Sequence, residues 1–162
     1  MTILRTGYSQ TLIFATKAHE GQIDKVGRPY IEHPIAVAKS LNNEVDKHVA
    51  LLHDTVEDTD VTIQDIYNNF GPTVGDAVDA ITQLKKETYR EYLERVIENP
   101  IARRVKIKDI DHNSSPARIA ALPIALQYRM VNKHLRARHY LLTGEWFESE
   151  HVDQLIKKGY KK

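Results

Sequence analysis

VDKHVALLHDTVED, residues 45–58, is the stretch from which the fold is read. Val45, Val49, Leu52 and Val56 recur at spacings of four, three and four, so one stripe of a helix is apolar and faces a core. The end of the same pattern carries His53, Asp54, Glu57 and Asp58. Carboxylates and an imidazole beside a buried stripe cost free energy unless they are paired or hold a metal. His53 and Glu57 are four apart, as are Asp54 and Asp58, so the group converges around one helix end. The alternative is a solvated acidic terminus. It ranks second, because carboxylates at a helix C-terminus oppose the macrodipole. A positive charge is expected there.

Outward from this stretch the pattern stays helical. Residues 8–19 keep a helical period through Leu12, Ala15, Ala18 and His19, and Gly21 stops it. A loop marked by Gly21, Gly27 and Pro29 follows. Pro34 then opens a second helix through Ile35, Val37, Ala38 and Leu41, with His33 at or just before its N-cap. After the central stretch, Thr62 and Asp65 stand in capping-box spacing ahead of IQDIYNNF, which Gly71-Pro72 ends. Residues 74–84, 87–98 and 102–113 read as three further helices, separated by charged and Asn-Pro segments. A long helix with a bend at Pro123 is expected over about 117–142, and a last amphipathic turn or two over 148–157. No segment alternates as a strand does. The expectation is an all-α helical bundle forming a single domain over 1–162, with C-terminal helices over about 117–158.

Composition bounds the function. The chain has 162 residues, 41% hydrophobic and 28% charged, which suits one soluble domain with a proper core. There is no cysteine, so neither a disulfide framework nor a thiolate site can be invoked. No apolar run approaches the ~20 residues of a membrane span and no apolar leader opens the chain, so a cytoplasmic protein without membrane association is expected. The net charge of +1 argues against a dedicated nucleic-acid binder, with the run Lys133, Arg136, Arg138 the one weak motive for that role. Eight histidines point to metal or acid–base chemistry.

Hard or borderline metal ligands occur as His33, the adjacent pair His53-Asp54, and Asp109. Imidazole with carboxylate and no thiolate suits Mn, Fe, Zn or Ni. The order H…HD…D resembles the HD-domain phosphohydrolases. The segments AHEGQIDKVGRPYIEHPIAVA, ALLHDTVEDTDVTIQDIYNNFG and VKIKDIDHN narrow this, and residues 8–118 resemble the hydrolase domain of the Rel/Spo homologues. That resemblance implies removal of pyrophosphate from the 3′ position of the alarmones ppGpp and pppGpp. Because the chain ends near residue 162, it resembles a stand-alone small alarmone hydrolase.

Residue by residue, the resemblance makes His33, His53, Asp54 and Asp109 the ligands of Mn²⁺, and Glu57 and Asp58 the catalytic pair. Such a pair suits metal hydrolysis, since a neighbouring carboxylate can orient an activated water and take its proton. Asn113 matches a substrate-contacting asparagine, and Lys25 sits in the family's basic loop as a flexible point charge. Arg90 and Lys106 are further cations for a polyphosphate, while Lys85 and Arg118 read equally well as solvated helix positions. Tyr30 packs beneath the loop or touches the base. The loop departs from the family at Asp24, where an arginine normally stacks on the purine. Aspartate cannot stack and repels phosphate, so guanine and adenine alarmones both stay open, with Arg28 the candidate substitute. Lys108 and Asp111 also depart from the family pattern, with no physical account. Two alternatives remain: a phosphatase on another phosphorylated nucleotide such as NADPH, and a non-catalytic nucleotide-sensing module. The oligomeric state is not readable.

Overall fold

The apolar stripe of residues 45–58 does not run through one helix. In the computed structural model, which describes residues 6–146, α3 spans Glu44–Leu52, the chain turns at His53 and Asp54, and one short helical turn, α4, follows at Thr55–Asp58. The expected continuous helix is therefore divided at the His-Asp pair. Side chains take up the carbonyls near the break: His53 Nδ1 lies 2.7 Å from the Ala50 carbonyl oxygen, and Thr55 Oγ1 donates to Leu52 O at 2.8 Å. α3 is also buried on more than one stripe, with Asp46, His48, Val49, Ala50, Leu51 and Leu52 all inside.

Four helices surround it: α1 (Tyr8–Ala18), α2 (Glu32–Lys39), α6 (Pro72–Ile81) and α8 (Pro100–Asn113). α8 is the second axis of the molecule. It packs on α2, α3, α6, α7 (Tyr89–Glu98) and α10 (Ile124–Thr143), so Val49, Leu52, Val78, Ile81, Leu93, Val105 and Ile110 share one core. Arg104 of α8 grips Asp46 of α3 with two bonds of 2.6 and 2.8 Å, and Asp46 is only 2% exposed. The two helices that carry the site are thus fixed to each other by apolar packing and by this fork.

Several helix ends follow from local chemistry. Asn43 caps α3 by accepting from the Val45 and Asp46 N–H groups, and Asn99 caps α8 in the same way. The Thr62–Asp65 box opens α5 (Ile63–Phe70) as its spacing predicts. Thr88 and Glu91 form a second box, which starts α7 at Tyr89 rather than at residue 87. Gly71, at φ +83°, makes the turn from α5 to α6 in a region that L side chains rarely adopt. His33 lies inside the first turn of α2 rather than at its cap, because the helix already begins at Glu32.

The helix expected over 117–142 is two helices, α9 (Pro116–Ala120) and α10, separated before Pro123. Proline disfavours helical backbone in the residue before it, so a break replaces the expected bend. The expected turn over 148–157 and the C-terminal tail lie outside the described residues. Among the described residues there is no strand, only one antiparallel bridge between Ile23 and Pro29. The fold is all-α, and no described helix is long and apolar enough to cross a membrane.

Candidate metal centre and adjoining cavity

The break after α3 turns His53 and Asp54 toward α2 and α8. His33 comes from the first turn of α2 and Asp109 from the last turns of α8. His33 Nε2 lies 3.0 Å from Asp109 Oδ1 and 3.7 Å from Asp54 Oδ2; His53 Nε2 lies 2.8 Å from Asp54 Oδ2 and 3.7 Å from Asp109 Oδ1. Ligand atoms of His33, His53 and Asp109, all buried, lie within 4.8 Å of one another, with Asp54 at the edge of the group. The structure thus brings together all four residues that the sequence pattern selects.

The donor set fits a divalent metal. His53 Nδ1 faces a backbone carbonyl, so it carries the proton and its Nε2 presents a lone pair. That Nε2 is buried and, despite its 2.8 Å approach to Asp54, makes no well-directed hydrogen bond. A lone pair aimed at carboxylate oxygens requires a cation between them or a proton on the ring. Burial alone disfavours a charged His53, but the Asp54 and Asp109 carboxylates outweigh it and hold the imidazole well above its usual value. Burial likewise pushes Asp109 up, and the Lys106 ammonium with the two imidazoles more than reverses that, leaving the carboxyl well below its usual range. The cluster is poised for positive charge, and two imidazoles with carboxylates and no thiolate match a hard or borderline ion.

Other groups hold these side chains in place. His33 Nδ1 lies 2.7 Å from His112 Nδ1, with the two rings stacked at 4.9 Å. Asn113 donates to Asp109 Oδ1 at 2.6 Å, Lys106 Nζ pairs with Asp109 Oδ2 at 2.8 Å, and Tyr30 donates its hydroxyl to Asp54 Oδ2 at 2.6 Å. Lys106, expected as a substrate cation, is therefore already committed to Asp109. Tyr30 donates to a cluster carboxylate, a role its sequence position did not suggest, and also lines the cavity beside the cluster. The sequence pattern does not single out His112, although it stands beside Asn113 in the VKIKDIDHN segment.

Glu57 and Asp58 follow the His-Asp pair on α4 and reach different partners. Glu57 Oε2 accepts the Gln83 N–H at 3.0 Å, and that connection is held by Arg95, which donates to the carbonyls of Asp79, Ala80 and Thr82. The Asp58 carbonyl accepts from Gln22 Nε2 at 2.7 Å, which fastens the 19–31 loop to α4. Partial desolvation of each carboxyl, with the Asp54 charge added, raises both above their ordinary values. Both still present surface to solvent.

Beside the cluster lies a cavity of about 360 Å³ that contains Lys25, Asn113 and Arg118. Asp24 does not face it as a bare charge. Its Oδ1 accepts from the Val26 and Arg28 N–H groups at 2.9 and 3.0 Å, and its Oδ2 accepts from Arg118 Nη1 at 3.2 Å. Arg118 is thus part of the cavity wall rather than a solvated helix position. Arg28 is exposed and does not line the cavity. Arg90 lies elsewhere, bonded to Glu94 at 3.2 Å and 5.7 Å from the Trp146 ring, in a second cavity shared with Arg129 and Lys133. Lys133 Nζ sits 4.2 Å over the Tyr89 ring, and desolvation together with Lys106 lowers its pKa. Of the basic run Lys133, Arg136, Arg138, Arg138 is paired with Asp111, and Lys133, although it lines the second cavity, is within electrostatic reach of Lys106, Asp109 and Glu57. Lys85 is exposed on the connection before α7.

The family described as HD domain matches residues 11–110. Over 94 residues the chain is 43% identical to guanosine-3′,5′-bis(diphosphate) 3′-pyrophosphohydrolase of Vibrio cholerae, a match covering 56% of this chain and 13% of that protein. It is 35% identical over 134 residues to a probable GTP pyrophosphokinase of Mycobacterium leprae, covering 75% of this chain and 17% of that protein. The chain thus spans only a small part of these relatives. A solved structure described as a metazoan ortholog of SpoT that hydrolyzes ppGpp superimposes with a TM-score of 0.71 at 23% identity, covering 99% of each chain. That likeness bears on the fold.

Proposed function

The chain belongs to the HD-domain family, and from that premise we propose that it is a Mn²⁺-dependent nucleotide 3′-pyrophosphohydrolase acting on alarmones of the ppGpp type. The observation that carries this is the buried His53 Nε2, turned without a hydrogen-bond partner toward the carboxylates of Asp54 and Asp109 beside His33. His33, His53, Asp54 and Asp109 would hold the ion, which when bound supplies Lewis-acid activation of water and of the phosphoryl oxygens.

The chain's own groups account for the rest of the chemistry. Glu57, anchored through one carboxyl oxygen by Gln83, keeps the other to accept a proton from the attacking water. The raised affinity of Glu57 and Asp58 for protons suits the acceptance of a proton from water. The water oxygen bonds to the phosphorus attached to the 3′ oxygen, the P–O3′ bond breaks, the 3′ oxygen leaves as a hydroxyl by taking a proton from solvent, and Glu57 returns the proton it accepted to solvent. The products are pyrophosphate and the nucleoside 5′-diphosphate, or the 5′-triphosphate where the substrate carries one more 5′ phosphate. Lys25 in the cavity, and Lys133 within electrostatic reach of Asp109 and Glu57, offer positive charge to the phosphates. Asn113 joins the cluster to the cavity, since it bonds Asp109 and lines the cavity wall.

The test is direct. Purified protein supplied with Mn²⁺ and ppGpp or ppApp releases pyrophosphate. If none appears while an NADPH phosphatase activity does, the reading is replaced by the phosphomonoesterase one; tight binding without turnover would replace it by a sensor.

A further inference from the structure

We infer that Arg118, positioned by Asp24, is the residue that selects the base, and that it favours a guanine over an adenine nucleotide; this rests on the nucleotide reading above. The cavity beside the metal-type cluster is of a size that suits a small-molecule site, about 360 Å³. Ile23 and Val26 from the loop and Leu122 and Met130 from the helical side give it apolar walls. Apolar walls with a polarizable thioether suit the flat face of an aromatic heterocycle. Its two cations, Lys25 and Arg118, differ in kind. Lys25 makes no ion pair among the described residues and stands as an uncompensated charge for a phosphate.

Arg118 is compensated. Asp24 is locked by its two backbone bonds, its side chain is 6% exposed, and its second oxygen holds Arg118 Nη1. A guanidinium already neutralised by a buried carboxylate gains little from a phosphate, and the carboxylate repels one. What it retains is the other edge of its planar fork, Nε and Nη2, which carries donors and no acceptor. Guanine offers two adjacent acceptors, N7 and O6, to such a fork, whereas adenine pairs its N7 acceptor with an N6 donor that would oppose it. Arg118 therefore contacts the base, and Asp24 is its positioning residue. The aspartate that looked hostile to substrate in the sequence instead aims an arginine donated from 94 residues away.

The experiment compares kcat and KM for ppGpp and ppApp in the wild type, Arg118→Lys, Arg118→Ala and Asp24→Asn, with the affinities of GDP and ADP measured calorimetrically alongside. The wild type is expected to prefer guanine by roughly 5- to 150-fold, the discrimination of one good bidentate contact. Arg118→Ala removes that preference by raising KM for ppGpp with little change in kcat. Arg118→Lys keeps the charge pair with Asp24 and the melting temperature, yet loses the preference, which a merely structural ion pair would not. Asp24→Asn weakens it. An unchanged guanine-to-adenine ratio in Arg118→Ala, or an equal loss for both substrates, overturns the inference. If the wild type turns over neither alarmone, the proposed function fails, and the GDP-to-ADP affinity ratio still decides the role of Arg118.

Discussion

His53 and Arg118 mark opposite ends of the site, and they are held by different means. His53 is 2% exposed, carried on the end of the largely buried α3, and fixed by the carbonyl of Ala50 three residues back. Arg118 has a side chain 26% exposed, comes from a five-residue helix, and is fixed by one ion pair to a loop 94 residues earlier. The floor of the site is part of the core, so its geometry is set by packing and backbone bonds. The rim is assembled from pieces that meet only in the tertiary structure. Reactive groups belong on the rigid part, where small misplacements are resisted; substrate choice belongs on the rim, where a substitution alters recognition without disturbing the core.

The largest expected effect lies at the floor's edge. Glu57→Gln keeps the Gln83 contact and the shape of α4 but removes the proton acceptor, so kcat is expected to fall by about 10²- to 10⁴-fold with metal content unchanged. An unchanged rate would take Glu57 out of the chemistry. Next comes the support beneath the floor. His112→Ala removes the group bonded to His33 Nδ1 and should weaken metal affinity or activity by about 10- to 100-fold, read by metal titration. If affinity held, the stacked pair would be packing alone.

A smaller effect separates rim from floor by pH. Ser114 at the end of α8 is tied to His134 of α10 at 2.8 Å, and burial, together with the nearby lysines, lowers the His134 pKa from 6.5 to about 4. The folded state therefore binds this proton less readily than the unfolded chain. Stability contributed by neutral His134 is full above pH 6.5 and is lost as pH falls toward 4. At about pH 5 the loss amounts to about 2 kcal/mol, which urea unfolding measures against a His134→Gln variant that lacks this dependence. Equal pH dependence in both proteins would mean that His134 does not anchor α10 as a neutral ring.

Much of the floor is legible in the sequence, because its signals are local. The Thr62–Asp65 box, the Asn99-Pro100 boundary and the apolar spacing of Val49 and Leu52 each act within a turn or two. The His-Asp pair is visible as a cluster, yet the helix break beneath it is not: Val56 continues the period of Val45 and Leu52, and only the side-chain bonds of His53 and Thr55 to α3 carbonyls show where regular hydrogen bonding stops. The rim is hidden for another reason. In sequence Asp24 stands out only as a charge unfavourable to phosphate and Arg118 as a solvated helix position, and their joint meaning arises from a contact across most of the chain. Arg90 shows the same limit in reverse, since its charge suggests the substrate but its place beside Trp146 sets it in another cavity.

The central claim is that His33, His53, Asp54 and Asp109 form one metal centre. Equilibrium dialysis against Mn²⁺, followed by metal analysis of the wild type and of a folded Asp109→Asn variant, tests it most directly. The account predicts stoichiometric ion in the wild type and its loss from the variant, with helical content unchanged. Full occupancy in Asp109→Asn would contradict it.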